Sequence, residues 1–317
     1  MGKWKPTRIP RPKGGFWVEL VEAWQVERAN MAYWQVTCKF CGGTRVVKYG
    51  TYHGVQRFLC RSCNRKFADN NAPPHMQFPT AAIASALNQF YQTTSLDKIR
   101  TQLDLDQHPY PGHATVYEWV VKYTKKAVEA LSGVTVNTGK IWVADETMLL
   151  VAGSKTKEGS ENTAWFWDVL DEDSRFLLAS HLSQTRTTRD AETLFQRAAE
   201  VATRPPRFIV TDKLSAYLDG IERVFGGDTI HIQSHGMRSS TNINLVERFH
   251  GTIKDRTNLM RGLHSLVTAR FVMSGWAIHY NYMRKHQALG GKTPAEVAGV
   301  EAPFKSWLEV IQLEGRV

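Results

Sequence analysis

The sequence predicts a mixed α/β domain preceded by a small β zinc ribbon and a three-helix module. Three observations predict it. Four cysteines stand near the start as two Cys-x-x-Cys pairs, helical periodicity fills residues 80–131, and from residue 138 short β-prone runs alternate with helices. The order from there, β-β-β-α-β-α-β-α-α, is that of a mixed sheet with flanking helices.

A chain of 317 residues suggests about two domains. Its 42% hydrophobic and 22% charged residues supply a core and exclude wholesale disorder. The net charge of +10 is unevenly spread: residues 1–137 hold 18 Lys+Arg against 9 Asp+Glu, residues 138–317 hold 22 against 21. A basic front and a neutral back suggest a polyanion-binding module joined to something else. No run approaches 18 apolar residues, so no membrane span is expected. The opening MGKWKPTRIPRPKGG lacks the apolar stretch of a secretory signal, and Pro6 breaks the myristoylation pattern. A cytoplasmic setting is expected, where cysteines point to metal rather than disulfides.

Residues 1–30 read as a basic arm, with a short helix or extended packing segment over 16–30. Residues 31–70 read as the ribbon. Cys38, Cys41, Cys60 and Cys63 are split by 18 residues between the pairs, a zinc spacing. Each pair offers two thiolates to one tetrahedral ion. β-prone runs lie at 45–48 and 56–59. So small a unit buries too little apolar surface alone, so structural Zn²⁺ is expected to carry its folding; iron at the same sulfurs or two disulfides are the alternatives. Arg57, Arg61 and Arg65 are candidate DNA contacts, or simply a solvated face.

Residues 71–137 read as a helix-turn-helix-like DNA-binding module. Thr80 is expected to cap its first helix, which carries Ile83, Leu87 and Phe90. Leu96, Ile99 and Leu103 mark the second. Val116, Val120 and Tyr123 mark the third, which leaves Lys122, Lys125 and Lys126 exposed as candidate DNA contacts. A plain helical bundle has the same pattern.

Residues 138–300 form the α/β domain and 301–317 a C-terminal tail. IWVADETMLLV reads as a strand. TAWFWDVLDEDSRFLLASHLS reads as two more around an acidic turn at 171–173. A helix over 188–202 starts at Thr188 as N-cap. A buried strand at 208–210, the helix LSAYLDGIERVF, the strand DTIHIQ and helices over 242–258 and 266–287 complete it. Trp165, Trp167, Trp276 and Tyr280 read as packing.

Three acids stand out. Asp145 sits among apolar strand neighbours, where a carboxylate is expensive unless it binds something. Asp212 directly follows a strand, where α/β sheets place ligands. Glu247 lies on a helix whose apolar stripe is Ile243, Val246, Phe249 and Ile253. Three hard oxygen donors can hold two Mg²⁺ or Mn²⁺ ions and leave room for water and phosphate. Glu146 is expected on the opposite face of the strand from Asp145. His231, His235 and His250 read as packed or surface residues sooner than DNA contacts. Arg238, in the polar loop before the Glu247 helix, and Arg248 are candidate DNA contacts.

VADET, VTDKLSAY and NLVERFHGTIKDR resemble the DDE core of insertion-sequence transposases, whose ribonuclease H-like fold is shared with retroviral integrases. The 34 residues between Asp212 and Glu247 are usual there, and Lys254, seven after Glu247, occupies the family's basic position. WAIHYNYMRKHQALGGKTPAEVAG resembles the closing helix and tail. The resemblance covers about 36–300.

It implies a two-metal-ion DNA transposase that cuts at a transposon end and joins the freed 3′-OH to target DNA. Asp145 would bridge both metals, Asp212 hold one and Glu247 complete the other, with Lys254 on transposon-end DNA. It also implies double-stranded DNA partners (terminal inverted repeats and target), a homodimer or higher synaptic oligomer, and a nucleoid-associated location. A catalytically inactive DNA-binding regulator and a ribonuclease H-like nuclease are the competing readings.

Overall fold

The computed structural model of the chain describes residues 36–52, 54–68, 70–156, 161–234, 243–260 and 263–313. The expected basic arm (1–30), His235 and Arg238 lie outside the described residues. The chain divides into two compact units at residues 70 and 71.

The first unit is a three-stranded antiparallel sheet: β1 (Val46–Tyr52), β2 (Val55–Cys60) and β3 (Lys66–Ala68), in that order. Among the described residues its buried cluster is Cys38, Phe58, Cys60 and Phe67, with the two Phe rings stacked at 5.7 Å. β1 is exposed along nearly its whole length. So little burial cannot offset the entropy of ordering the strands, which is why the sulfurs matter.

The second unit begins with α1 (Thr80–Tyr91), α2 (Leu96–Leu105) and α3 (His113–Ala130). Ser95 caps α2 by accepting the Lys98 N–H. Thr80 does not cap α1. Pro79 holds that position, and the Thr80 hydroxyl donates to the Asn71 carbonyl at 2.9 Å.

The sheet follows: β4 (Ile141–Lys155), β5 (Glu161–Asp171), β6 (Leu177–Ser183), then α4 (Thr188–Val201), β7 (Phe208–Thr211), α5 (Ser215–Phe225) and β8 (Ile230–Gln233). The strand order is β6-β5-β4-β7-β8, antiparallel from β6 to β4 and parallel from β4 to β8. The N-cap of α4 is Thr187, one residue before the expected Thr188, in a capping box with Asp190. Burial opposes the Asp190 charge, but hydrogen bonds from His181, Thr185 and Thr187 outweigh it and hold the carboxyl far below its ordinary range.

Then come α6 (Asn244–Leu259), α7 (Leu266–Ile278) running into a π-helical turn (His279–Met283), α8 (Pro294–Val297) and α9 (Trp307–Gln312). Successive β4 residues face opposite sides of the sheet. Trp142 packs on Phe225 of α5 and Glu146 meets Tyr217 of α5, whereas Asp145 meets His250 of α6. Helices α5 and α6 therefore cover opposite faces.

The segment expected as a separate module, 71–137, shares one hydrophobic core with the sheet. Tyr91 of α1 hydrogen-bonds Thr124 of α3 at 2.6 Å and stacks on Trp307 at 5.1 Å. Gly275 of α7 is pressed against that pair, where an added Cβ would lie 2.1 Å from the Tyr91 hydroxyl. The segment expected as a tail is, over its described residues 301–313, thus more than that: α9 buries Trp307, Val310 and Ile311. Among the described residues no helix is long and apolar enough to cross a membrane.

Candidate metal and catalytic site

In the β4–β7 register Val143 pairs with Val210. Two residues on, Asp145 and Asp212 stand level at the point where β7 ends. Among the described residues no strand pairs with β4 on that side again until Val151 meets Leu263. The gap is the candidate site. One carboxylate oxygen from each of Asp145, Glu146 and Asp212 lies within 4.8 Å of the others. Asp212 is oriented by a short turn in which its Oδ1 accepts the Leu214 N–H at 2.8 Å.

Glu146 does face α5, as its place in the strand requires, yet its longer side chain reaches round the open edge. Both its oxygens are engaged: Tyr217 donates to Oε2 at 2.6 Å and Arg186 to Oε1. Arg186 in turn lies over the Trp165 ring at 4.4 Å. Glu146 is therefore a matched, buried acid.

Asp145 has a different neighbour. Directly across the β4–β5 ladder is Asp168, fully buried. His250 of α6 spans the two, with Nε2 at 2.6 Å from Asp168 Oδ2 and Nδ1 at 3.7 Å from Asp145 Oδ2. Burial pushes the Asp145 carboxyl up to about 7; His250 opposes the rise, while Glu146 and Asp168 add to it. Burial likewise raises Glu146 and Asp168. Burial works against charge on His250, but Asp168 and Asp145 outweigh it and raise the imidazole above its ordinary value.

Glu247 is exposed and stands outside the cluster of three acids. It lies one helical turn before His250 on α6, so it occupies the same helix flank that delivers His250 to Asp145. Val246, Phe249 and Ile253 are buried beneath it, as the stripe predicted. Arg248 and Lys254 are exposed on α6, as are Arg61, Arg65, Lys122 and Lys125 elsewhere; Arg57 is half-buried. Lys126 is not exposed as expected. It donates to the carbonyls of Ile311 and Leu313 and fastens α3 to the end of α9, where a helix leaves its last carbonyls without intrahelical donors. His231 is half-buried with Nε2 2.8 Å from the Thr211 hydroxyl.

In the first unit the four sulfurs also lie within 4.8 Å of one another. The Cys38–Cys63 and Cys41–Cys60 separations are 3.6 and 3.7 Å. Tetrahedral zinc with Zn–S bonds of about 2.3 Å needs sulfurs about 3.8 Å apart. The Phe40 and Ser62 N–H groups point at Cys38 and Cys60, as knuckles require. N–H bonds from Cys63 and Ser62 pull the Cys60 thiol down to about 6. The Gly43 N–H lowers Cys41, but the facing thiols and burial outweigh it and push Cys41 up to about 12. Four sulfurs this close cannot all ionise without a cation between them, and the donor set fits zinc.

The DDE_Tnp_IS240 family, a DDE domain, matches residues 139–286. The match spans a little under half of the chain. The matched stretch holds β4 through α7 and all three candidate acids. Solved structures are similar at low identity. The catalytic core domain of HTLV-2 integrase, in complex with magnesium in a trimeric form, is 19% identical with a TM-score of 0.38 over 52% of this chain and 99% of that one. The BIV integrase core is 15% identical with a TM-score of 0.35 over 50% and 93%. A simian T-cell lymphotropic virus intasome in complex with PP2A regulatory subunit B56 gamma is 14% identical with a TM-score of 0.38 over 67% and 73%. The search of curated proteins gives no match.

Asp145 and Asp212 fit a divalent ion on their own geometry. An ion bound at about 2.0–2.6 Å touches two oxygens up to about 5 Å apart, and the Asp145 and Asp212 oxygens lie within that span. The raised Asp145 gives this a pH signature. Unfolded, an Asp ionises near 3.9; folded, Asp145 holds its proton to about 7. Its ionisation therefore costs stability progressively from about pH 4 to 7, by up to about 4 kcal/mol. Without divalent ions, Asp145→Asn is expected to melt higher than the wild type above pH 7, with the difference shrinking towards pH 4. Added Mg²⁺ should raise the wild-type melting temperature at pH 8 and not at pH 5. Melting curves across pH 4–8 check this, and a wild type that gains on Asp145→Asn as pH rises contradicts it.

Proposed function

We propose that the chain is a DNA transposase that cuts the terminal inverted repeats of a mobile element and joins them to target DNA, working as a homodimer or larger synaptic assembly. The observation that carries this is the meeting of Asp145, within β4, and Asp212, just past the end of the adjacent β7, in the stretch that matches a DDE domain, with α6 holding Glu247 one turn from His250. Asp145, Asp212 and Glu247 are the catalytic carboxylates. Both Glu146 oxygens are taken by Arg186 and Tyr217, so Glu247, exposed and beside the gap, is the third ligand.

Asp145, Asp212 and Glu247 would hold two Mg²⁺ or Mn²⁺ ions, which would supply activation of the attacking oxygen and charge neutralisation at the leaving one. The chain positions: the Leu214 N–H fixes Asp212, and the β4 edge leaves space for a phosphodiester. Lys254 and Arg248 of α6 meet DNA beside the acids, and Arg238 is a further DNA contact. The zinc-held ribbon, through Arg57, Arg61 and Arg65, and the α1–α3 helices, through Lys122 and Lys125, bind the element's ends as a helix-turn-helix-like reader.

The test is cleavage and joining by the full-length protein, on duplexes carrying the inverted repeats that flank its gene, in Mg²⁺ and in Mn²⁺. Free 3′-OH ends at the repeat boundary and joined products are expected. Repeats bound but never cut point to an inactive regulator, and RNA–DNA hybrids cut in preference to repeats point to a ribonuclease H-like nuclease; either result overturns the proposal.

A further inference from the structure

We propose that Asp168 is a positioning residue for the catalytic site, acting through His250 to hold the Asp145 carboxylate towards Asp212. This rests on the reading of Asp145 as a metal ligand.

Asp168 is 0% exposed, and among the described residues its Oδ1 has no hydrogen-bond partner. Its same-face neighbours along β5, Phe166 and Leu170, are both buried and apolar. A carboxylate in that row is removed from water at a large cost, and an apolar side chain would pack there without it. What the acid obtains is one short contact, 2.6 Å to His250 Nε2. By donating its Nε2–H to Asp168, the ring is left with Nδ1 facing Asp145 Oδ2 at 3.7 Å. Ligand-orienting carboxylate–histidine pairs behind metal sites follow the same logic of fixed ring and fixed tautomer.

Strand order adds direction. β5 and β7 flank β4 on opposite sides. The Asp168–His250 pair therefore lies on one flank of Asp145 and Asp212 on the other. His250 blocks the rotation that would carry the Asp145 carboxylate away from the gap. His250 itself is buried on α6, with buried Phe249 and Ile253 on the same helix. The pair also ties α6, and so the flank carrying Glu247, to the height of Asp145.

The experiment measures Mn²⁺ binding to the full-length, zinc-loaded protein by the electron paramagnetic resonance of free Mn²⁺. Asp168→Asn is expected to weaken Mn²⁺ binding about 10- to 100-fold, with the metal-free melting temperature held and end cleavage recovering as Mn²⁺ is raised. Wild-type Mn²⁺ affinity in Asp168→Asn overturns the proposal.

A second measurement needs no folded variant of Asp168. In wild-type protein with ¹⁵N-labelled histidine, the His250 ring signals, assigned by their loss in His250→Gln, should report a proton on Nε2 and shift when Mg²⁺ is added. A ring protonated on Nδ1 alone, or one blind to saturating Mg²⁺, also overturns it. Asp145→Asn separates the two readings: if it too binds Mn²⁺ like the wild type, the metal site itself is misplaced, whereas normal binding in Asp168→Asn alone removes only the positioning role.

Discussion

Asp145→Asn and Asp212→Asn are each expected to lower end cleavage by about 10³-fold or more, with binding to the repeat duplex unchanged. Each substitution keeps volume and removes one charged oxygen donor from the edge of β4 or β7. Preorganised charge at a reacting phosphate is commonly worth 10²–10³ in rate for a single donor, and loss of a shared metal ligand removes more than one such contribution. Glu247→Gln should fall in the same class. Glu146→Gln should behave differently. It leaves Arg186 facing a neutral amide and weakens the hold on Tyr217, so it lowers melting temperature before it lowers chemistry. Rate measurements on the four variants, beside their melting curves, separate the roles. A severe rate loss in Glu146→Gln with none in Glu247→Gln would show that the third acid is Glu146.

Removal of zinc has the next largest expected effect, confined to the first unit. Structural zinc supplies on the order of 10–16 kcal/mol to small domains of this kind, far beyond what a cluster of Phe58, Phe67 and two cysteines can replace. Cys60→Ser, or a strong chelator, should release one zinc per chain, unfold β1–β3 and abolish specific binding to the repeats. The second unit has its own continuous core and should keep its melting transition. Zinc content by metal analysis, with calorimetry of both transitions, reads this out. Retention of one zinc in Cys60→Ser, or loss of both transitions together, contradicts the separation.

Much of this was legible in the residues. The ribbon cysteines and the elements around Asp145 and Asp212 follow from spacing and local pattern, because metal knuckles and strand–helix alternation are short-range signals. What sequence reading missed depends on register. Asp168 meets Asp145 only once the β4–β5 hairpin is aligned residue by residue, and a local reading leaves it as one acid among many. His250 read as a packed or surface histidine because its two partners lie on β4 and β5, far along the chain. A signal was available: it sits three residues after Glu247, on the flank assigned to the site. Lys126 read as an exposed base because its carbonyl partners are more than 180 residues away. The capping shifts at Thr80 and Thr187 are one-residue errors of a kind periodicity cannot prevent.

The central claim is that Asp145, Asp212 and Glu247 hold a divalent pair. Crystals of the full chain grown with Mn²⁺, with diffraction recorded at the manganese absorption edge, test it directly. Anomalous peaks are expected in the gap between β4 and β7, ligated by Asp145 and Asp212, with the Glu247 carboxylate brought in from α6. Manganese held by Asp145 and Glu146 while Glu247 stays in solvent, or none beside Asp145 at saturating concentration, would contradict it.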